Sequence, residues 1–118
     1  MTAPFVTYQL VIEIRRDIRV VVGALGRRRL PAGRYVYTGS ARRNLEARLR
    51  RHLARTKTLH WHIDYLLAHP GVRVTGVRRH RRPECAVNQA VGGEVVVPGF
   101  GASDCRARCG SHLKRVGP

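Results

Sequence analysis

The pattern of apolar and polar positions predicts β-strands in the first third of the chain. The segment FVTYQLVIEI (5–14) is rich in β-branched and aromatic residues with a short apolar period, which is typical of a strand. IRVVVGAL (18–25) predicts a second strand after the turn RRDI, and RYVYTG (34–39) predicts a third after the basic connection GRRRLPAG (26–33). Connections this short cannot make parallel crossovers, so the pattern indicates an antiparallel sheet.

A helical period follows the third strand. Its apolar stripe repeats every four residues, at Leu45, Leu49 and Leu53. Arginines fill the positions between the leucines, which predicts a helix with one buried face and one basic face, from Asn44 to about Arg55. Asn44 or Ser40 would cap this helix.

The second half of the chain alternates shorter elements. HWHIDYLLAHPG (60–71) predicts a helix ended by its Pro-Gly pair, VRVTGVRRH (72–80) a strand, and PECAVNQAVGG (83–93) a helix that begins with proline and ends with glycines. The tail from Val95 has no clear period and predicts an ordered loop with a short strand. The order predicts an α+β fold with a small, mostly antiparallel sheet of three to four strands flanked by helices.

Charge narrows the class of protein. The 118 residues include 23 Lys and Arg against 7 Asp and Glu, a formal net charge of +16, and nearly all of the excess is arginine. Arginine pairs well with phosphate, so this balance favours a nucleic-acid binder over an arginine-biased genome as its explanation. The clusters RRRL and RRHRR are then non-specific contacts with the phosphate backbone.

Length and the remaining composition set the expected context. An apolar fraction of 43% predicts a folded chain, and no repeat or linker divides it, so we expect a single domain over residues 1–118, acting as a monomer. No apolar run has membrane-spanning length and the N-terminus has no signal-peptide pattern. Three cysteines form no even disulfide framework, which fits a reducing compartment. We expect a cytoplasmic, nucleoid-associated protein without membrane contact.

Two short motifs and two later residues carry a resemblance. The motifs are TY at Thr7–Tyr8 and YTG at Tyr37–Gly39; Arg48 follows in LEARLRRHL and Glu84 in PEC. Together with HWHIDYLL, PGFGASDC and SHL, these strings occur in order over nearly the whole chain. The chain resembles the GIY-YIG nuclease family, and more closely its small, single-domain Uri-type branch.

The resemblance implies an endonuclease that hydrolyses DNA phosphodiester bonds with one divalent cation, Mg²⁺ or Mn²⁺. Tyr8 and Tyr37 would line the cleft, one of them assisting the attacking water. Arg48 would contact the scissile phosphate, and Glu84 would be the metal ligand. DNA is the implied partner, RNA stays open, and a protein partner would supply specificity that so small a domain lacks.

The chemistry of these side chains is consistent with that role. Nearby cations favour a phenolate, so we expect a basic pocket to lower the pKa of a tyrosine and let it take a proton from water. The guanidinium fork of Arg48 suits a phosphate that gains negative charge. Glu84 offers a hard oxygen ligand, and Mg²⁺ needs only one or two protein carboxylates. Seven acidic residues in all make a two-metal site an unfavoured alternative.

Further side chains are candidates for catalysis or substrate binding. His52 follows Arg48 by one helical turn and would bind phosphate or share in proton transfer. Gly39 would let the backbone pass close to the substrate. The predicted substrate-binding residues are Gly39, Ser40, Arg42, Arg43, Arg51, His60 and His62. His60, His62 and Asp64 cannot all converge on one ion if they lie on a helix, so we expect Trp61 and Tyr65 to help pack the core and the two histidines to be structural or to face DNA.

Two features leave alternatives open. Val6 stands where the resemblance expects a glycine, which keeps open a nucleic-acid-binding module that does not cut. Glu84 at a helix start can also simply favour the helix dipole, with Glu46 a weaker rival as metal ligand.

The tail raises a separate question of metal binding. Its candidate zinc ligands are Cys85, Cys105, Cys109 and His112. Their spacing falls short of a paired CxxC motif, so three small buried thiols, or local packing against the Glu84 helix, are the favoured interpretation and zinc is the alternative. With zinc, the chain would be a zinc-stabilised interaction domain.

Overall fold

The computed structural model describes residues 4–41, 43–54, 58–102, 105 and 108–118, and these form an α+β fold. The strands are β1 Thr7–Ile14, β2 Ile18–Val21, β3 Arg27–Leu30, β4 Gly33–Ser40, β5 Val72–His80, β6 Glu94–Val95 and β7 Leu113–Gly117. The helices are α1 Leu45–Leu53, α2 His62–Leu67 and α3 Glu84–Gln89, with a 3₁₀ turn at Gly23–Leu25.

The main sheet is antiparallel and has the order β5-β1-β4-β7-β6, while β2 and β3 pair separately as a two-stranded ribbon. β1 and β4 are central, and Tyr8 lies opposite Gly39 as Leu10 lies opposite Tyr37. Directly opposed residues in an antiparallel pair share a face, so both tyrosines point to the same side of the sheet. The α+β class and the antiparallel sheet are confirmed, with five strands where three or four were expected.

One face of the central strands is the hydrophobic core. From β1, Leu10 and Ile12 are fully buried, and Tyr35 of β4 is buried beside them. Leu49 of α1 and Leu66 of α2 pack into the same cluster. Burial of each such side chain stabilises the fold by ~1.5–3 kcal/mol, which sets β1 and β4 as the fixed platform for the helices.

The ribbon differs from the prediction for residues 18–33. The predicted strand ends at Val21, because Gly23 and Gly26 turn the backbone with φ of 48° and 76°. The chain then returns as β3, where a basic connection was expected. The sequence pattern did not predict this strand, because its three consecutive arginines are exposed and give no apolar period. Asp17 joins the ribbon by accepting from Arg29 at 2.5 Å.

The helix α1 confirms the predicted element and corrects its buried face. Asn44 caps it, since its Oδ1 accepts from the Ala47 backbone N–H at 3.3 Å, whereas Ser40 belongs to β4. Leu53 is 54% exposed and His52 only 2%, so the last position of the predicted apolar stripe was wrong. The helix ends at Leu53, and its last turn presents His52 to the core.

The remaining elements agree closely with the sequence pattern. β5 spans the predicted residues 72–80, and α2 and α3 lie within the predicted helical segments. The tail contributes β6 and β7, of which β7 pairs with β4 beside the core. In the described part of the chain, every helix is too short or too polar to cross a membrane.

Candidate active site

A cleft of about 500 Å³ lies beside the start of β1 and the end of β4. Four lining residues form what we call the tyrosine wall: Tyr8, Tyr37, Ser40 and Arg48. Four more form the thiol wall: Glu84, Cys85, Cys105 and His112. Trp61 and Gly101 complete the lining. A larger concavity of about 690 Å³ lies at the opposite end of β1, among exposed charged side chains, and holds none of the predicted site residues.

Tyr8 is fixed in the tyrosine wall by contacts on several sides. It is 2% exposed, and its hydroxyl lies 2.7 Å from His52 Nε2 in a hydrogen bond. Its ring centroid lies 6.2 Å from that of Tyr37. A Cβ on Gly39 would come within 2.5 Å of Tyr8 Cζ and Oη. Glycine at 39 therefore makes room for the Tyr8 ring, a packing role that differs from the substrate approach expected of it.

The acid–base state of the two tyrosines corrects one expectation. Burial raises the pKa of Tyr8 above its usual value, and the opposing charge of Arg48 does not offset the burial. Burial also raises the pKa of Tyr37 well above its usual value. Desolvation of a phenolate outweighs attraction to nearby cations here, so both side chains are neutral phenols.

Arg48 is positioned by the Ser40 carbonyl group of β4 and by Trp61. One of its guanidinium nitrogens donates to the Ser40 carbonyl oxygen at 2.7 Å. The guanidinium carbon lies 4.6 Å from the centroid of the Trp61 ring, a cation–π contact. These two contacts hold the charge at the edge of the cleft.

Arg51 also contacts the Trp61 ring and forms an ion pair with Asp64. Its guanidinium carbon is 4.4 Å from the Trp61 ring centroid. It donates to both carboxylate oxygens of Asp64, at 2.8 and 2.9 Å, and to the Thr58 carbonyl oxygen. The structure thus places Arg51 in a bidentate pair behind the cleft, outside its lining.

Asp64 is the buried partner of Arg51. Its side chain is fully buried and accepts from the backbone N–H groups of His60 and Trp61 at 2.9 and 2.8 Å. Burial alone would raise the pKa of Asp64, but the bonds from Arg51 and the two backbone N–H groups lower it. Its Oδ1 lies 3.9 Å from His52 Nδ1, so an anion sits behind the imidazole that contacts Tyr8.

Glu84 enters the cleft from the first turn of α3. Its Oε2 accepts from Nδ1 of His112 at 3.0 Å, and its side chain is 25% exposed. His112 is 1% exposed. Burial lowers the pKa of His112, but the bond to Glu84 and the nearby thiol of Cys105 raise it to about 9. The predicted metal ligand is therefore also the partner of a buried histidine.

Three cysteines and His112 form a compact group, which we call the cysteine cluster. One ligand atom from each of Cys85, Cys105, Cys109 and His112 lies within 4.8 Å of the others, an arrangement that can hold a metal ion. The two sulfur atoms of Cys85 and Cys105 are 3.4 Å apart. The three cysteines are half-buried, where the sequence favoured buried thiols, and they meet His112 at one point.

The other predicted substrate-binding residues divide by position. Arg43 is exposed just before α1, and Arg42 lies outside the described residues. The His60 ring packs against the Trp61 ring in a tilted arrangement, with ring centroids 5.3 Å apart. His62 Nδ1 accepts from the Gly101 backbone N–H at 2.8 Å, which ties α2 to the tail loop. His60 and His62 lie outside the cleft lining.

Two residues of the site escaped the sequence reasoning. Gly101 has φ of 65° and lies against Tyr37, where a Cβ would come within 3.0 Å of the ring. Trp61 is the second, and its ring contacts two guanidinium groups. The sequence signals that could have identified them are the second glycine of PGFG and the single tryptophan between two histidines.

Comparison with known families gives one result. The sequence model described as "Domain of unknown function DUF123" matches residues 7–117. The chain belongs to this family. The match includes every element from β1 to β7, so the cleft is part of the DUF123 domain. No curated protein and no solved structure matches the chain.

Proposed function

We propose that this DUF123 chain is a metal-dependent endonuclease of the GIY-YIG type that hydrolyses phosphodiester bonds in DNA. The observation that carries the proposal is the convergence of Tyr8, Tyr37, Arg48 and Glu84 on one cleft from four separate elements, β1, β4, α1 and α3. The formal net charge of +16 supports a polyanionic substrate.

Arg48 would bind the scissile phosphate. A guanidinium has five N–H donors, and the Ser40 carbonyl oxygen takes one of the donors on Arg48. The remaining donors suit the equatorial oxygens, where charge grows during attack. The Trp61 face fixes the guanidinium plane, so little reorganisation is needed when the substrate arrives.

The neutral Tyr8 would act as a proton relay rather than as a phenolate. In the tautomer whose Nε2 carries no proton, His52 accepts from the Tyr8 hydroxyl. As water oxygen bonds to phosphorus, its proton passes to Tyr8 and the phenol proton passes to His52. The bond from phosphorus to O3′ breaks with its electron pair on O3′, which takes a proton from solvent. Asp64, 3.9 Å from Nδ1, stabilises the imidazolium that forms.

Glu84 would hold one Mg²⁺ or Mn²⁺. It reaches the cleft, and its bond to His112 through Oε2 leaves Oε1 for a cation. Hard cations prefer such oxygen donors, and Mg²⁺ keeps most of its waters when a single carboxylate binds it. When bound, the ion would supply positive charge beside the phosphate.

The test is nicking of supercoiled plasmid DNA with and without Mg²⁺ or Mn²⁺, using Glu84→Gln beside the matched control Glu46→Gln. Glu46 is exposed and pairs with Arg79 on the surface. We expect the wild type and Glu46→Gln to nick the plasmid in a metal-dependent way, and Glu84→Gln to bind DNA without nicking. Parallel single-stranded, branched and RNA substrates define the preferred nucleic acid.

A nucleic-acid-binding module that does not cut is the second candidate, and the raised pKa values of both tyrosines favour it. Val6 itself gives no support to this candidate. Its N–H donates to the His80 carbonyl oxygen at 3.0 Å and its own carbonyl oxygen accepts from Ala41, and among the described non-glycine residues only Asn44 and Arg108 have positive φ. DNA binding without nicking by the wild type would decide for this candidate.

A further inference from the structure

We propose that Cys85, Cys105, Cys109 and His112 bind one zinc ion as a closed, four-ligand structural site, with Glu84 as the carboxylate that orients His112. The inference does not rest on the proposed nuclease activity. It explains why the three cysteines and His112 of the cysteine cluster lie together in the fold.

Distances support the ligand set. Tetrahedral zinc with Zn–S bonds of about 2.3 Å and Zn–N bonds of about 2.0 Å separates its ligand atoms by roughly 3.5–3.8 Å. The four ligand atoms lie within 4.8 Å of one another, and Cys85 Sγ and Cys105 Sγ are 3.4 Å apart. Movements of about 1 Å or less in side chains bring the four atoms to that geometry.

The histidine supplies an independent observation. Nε2 of His112 is buried and has no hydrogen-bond partner of conventional geometry among the described residues, while Nδ1 is held by Glu84 at 3.0 Å. A metal-bound histidine usually directs its second ring nitrogen to a carboxylate, which fixes the tautomer and the ring orientation. A zinc ion on Nε2 satisfies the buried nitrogen and explains the bond on Nδ1.

The chemistry of the donors selects the metal. Three thiolates and one imidazole are soft or borderline ligands, which suit Zn²⁺ and exclude Mg²⁺ as the preferred ion. Four protein ligands leave no open position for water, so the ion is structural rather than hydrolytic. Three thiolate charges against two on zinc leave the site one negative charge.

The ligands come from different segments of the chain. Cys85 lies in the first turn of α3, His112 comes just before β7, and Cys105 and Cys109 lie in the tail loop between α3 and β7. Arg108 and Gly110, on either side of Cys109, have φ of 56° and 77°, so the backbone turns sharply around this ligand. Zinc would hold the loop to α3 and thereby fix Glu84 and Gly101 in the cleft.

The experiment measures metal content and cobalt spectra of the full chain purified under reducing conditions. We expect one zinc per chain by elemental analysis, and intense tetrahedral d–d and thiolate-to-cobalt charge-transfer bands after Co²⁺ replaces zinc. Cys109→Ser should lose the charge-transfer intensity of one thiolate, and His69→Asn should leave metal content and spectrum unchanged. His69 is a fitting control because it lies outside the cluster, and asparagine can still accept from the Gly71 N–H.

Glu84→Gln separates this site from the proposed active site. We expect it to keep one zinc per chain, with zinc affinity lowered about ten- to a hundred-fold by the loss of the carboxylate. Loss of nicking with zinc retained would support both proposals, and unchanged nicking would overturn only the catalytic one. Where Cys109→Ser fails to fold, the wild-type cobalt spectrum still decides.

Three results would overturn the zinc site. The first is metal-free wild-type protein whose three thiols react equally fast with and without added zinc. The second is a Co²⁺ spectrum without thiolate bands. The third is a Cys85–Cys105 disulfide, seen by mass spectrometry, in protein kept under reducing conditions throughout.

Discussion

The two walls of the cleft are held in place by different kinds of interaction. The tyrosine wall stands on the two central strands and α1, where hydrophobic packing fixes the backbone on both sides of each residue. The thiol wall joins the short helix α3 to the segment before β7, and the hydrogen bond between Glu84 and His112 links the two. The first wall is held by hydrophobic packing, and the second is held by polar contacts between side chains, to which the proposed zinc would add.

The difference separates what each wall can contribute. A wall built on a packed platform can hold reacting groups at fixed distances with no help from a ligand. A wall built on a loop needs a cross-link, and a metal supplies one. Glu84 belongs to both, because it faces the cleft and holds His112.

The largest expected effect tests whether packing alone holds the tyrosine wall. Leu49→Ala removes a side chain that is 3% exposed beneath α1, and it should lower the free energy of unfolding by about 2–5 kcal/mol. The loss should be the same with excess zinc or with chelator, as measured by urea unfolding. Leu53→Ala on the same helix is the control, and at 54% exposure it should change the free energy by under about 0.5 kcal/mol.

A smaller effect tests the chemistry of the same wall. Arg48→Lys replaces a planar fork by a point charge that cannot keep both the Ser40 bond and a bidentate phosphate contact. We expect the nicking rate to fall about 10²–10³-fold, or ~2.7–4 kcal/mol, with little change in stability. Arg50→Lys, exposed on the same helix, should retain the wild-type rate. Equal rates for the two variants would remove Arg48 from the site.

The smallest effect concerns the layer behind the wall. The folded-state pKa of Asp64 lies below its usual value of 3.8, so its ion pair stabilises the fold above that pH and is lost as pH falls through the lower, folded-state pKa. Asp64→Asn should cost about 1–3 kcal/mol at neutral pH, moderated because Arg51 is 30% exposed. Its unfolding free energy should also vary less between pH 5 and pH 2 than that of the wild type. An unchanged acid dependence would contradict the role of Asp64.

The sequence predicted the parts of the fold that carry a local period. β1, β4 and β5 were found because their apolar positions alternate or cluster, and α1 was found because its leucines repeat. β3 was missed because its three arginines are exposed and give no apolar period. The pattern placed Leu53 in the core, but His52 is buried there instead. The two residues are neighbours on the helix, and the leucine repeat alone does not show which of them faces inward.

The candidate site was predicted unevenly for a similar reason. Tyr8, Tyr37, Arg48 and Glu84 share one cleft, as the motif strings implied. The pKa of a cleft tyrosine was expected to be lowered and is raised, because burial depends on tertiary packing that the spacing of residues does not show. The cysteine cluster was underrated because Cys85 lies 20 residues before Cys105, so their meeting depends on the path of the tail.

The position of Trp61 has an optical consequence. It is the chain's single tryptophan, and its ring lies within 4.6 Å of the guanidinium carbons of both Arg48 and Arg51. Its fluorescence therefore reports on one place, the indole face that positions the proposed phosphate ligand. A bound oligonucleotide that shifts Arg48 would change the emission, so the protein carries its own reporter of cleft occupancy.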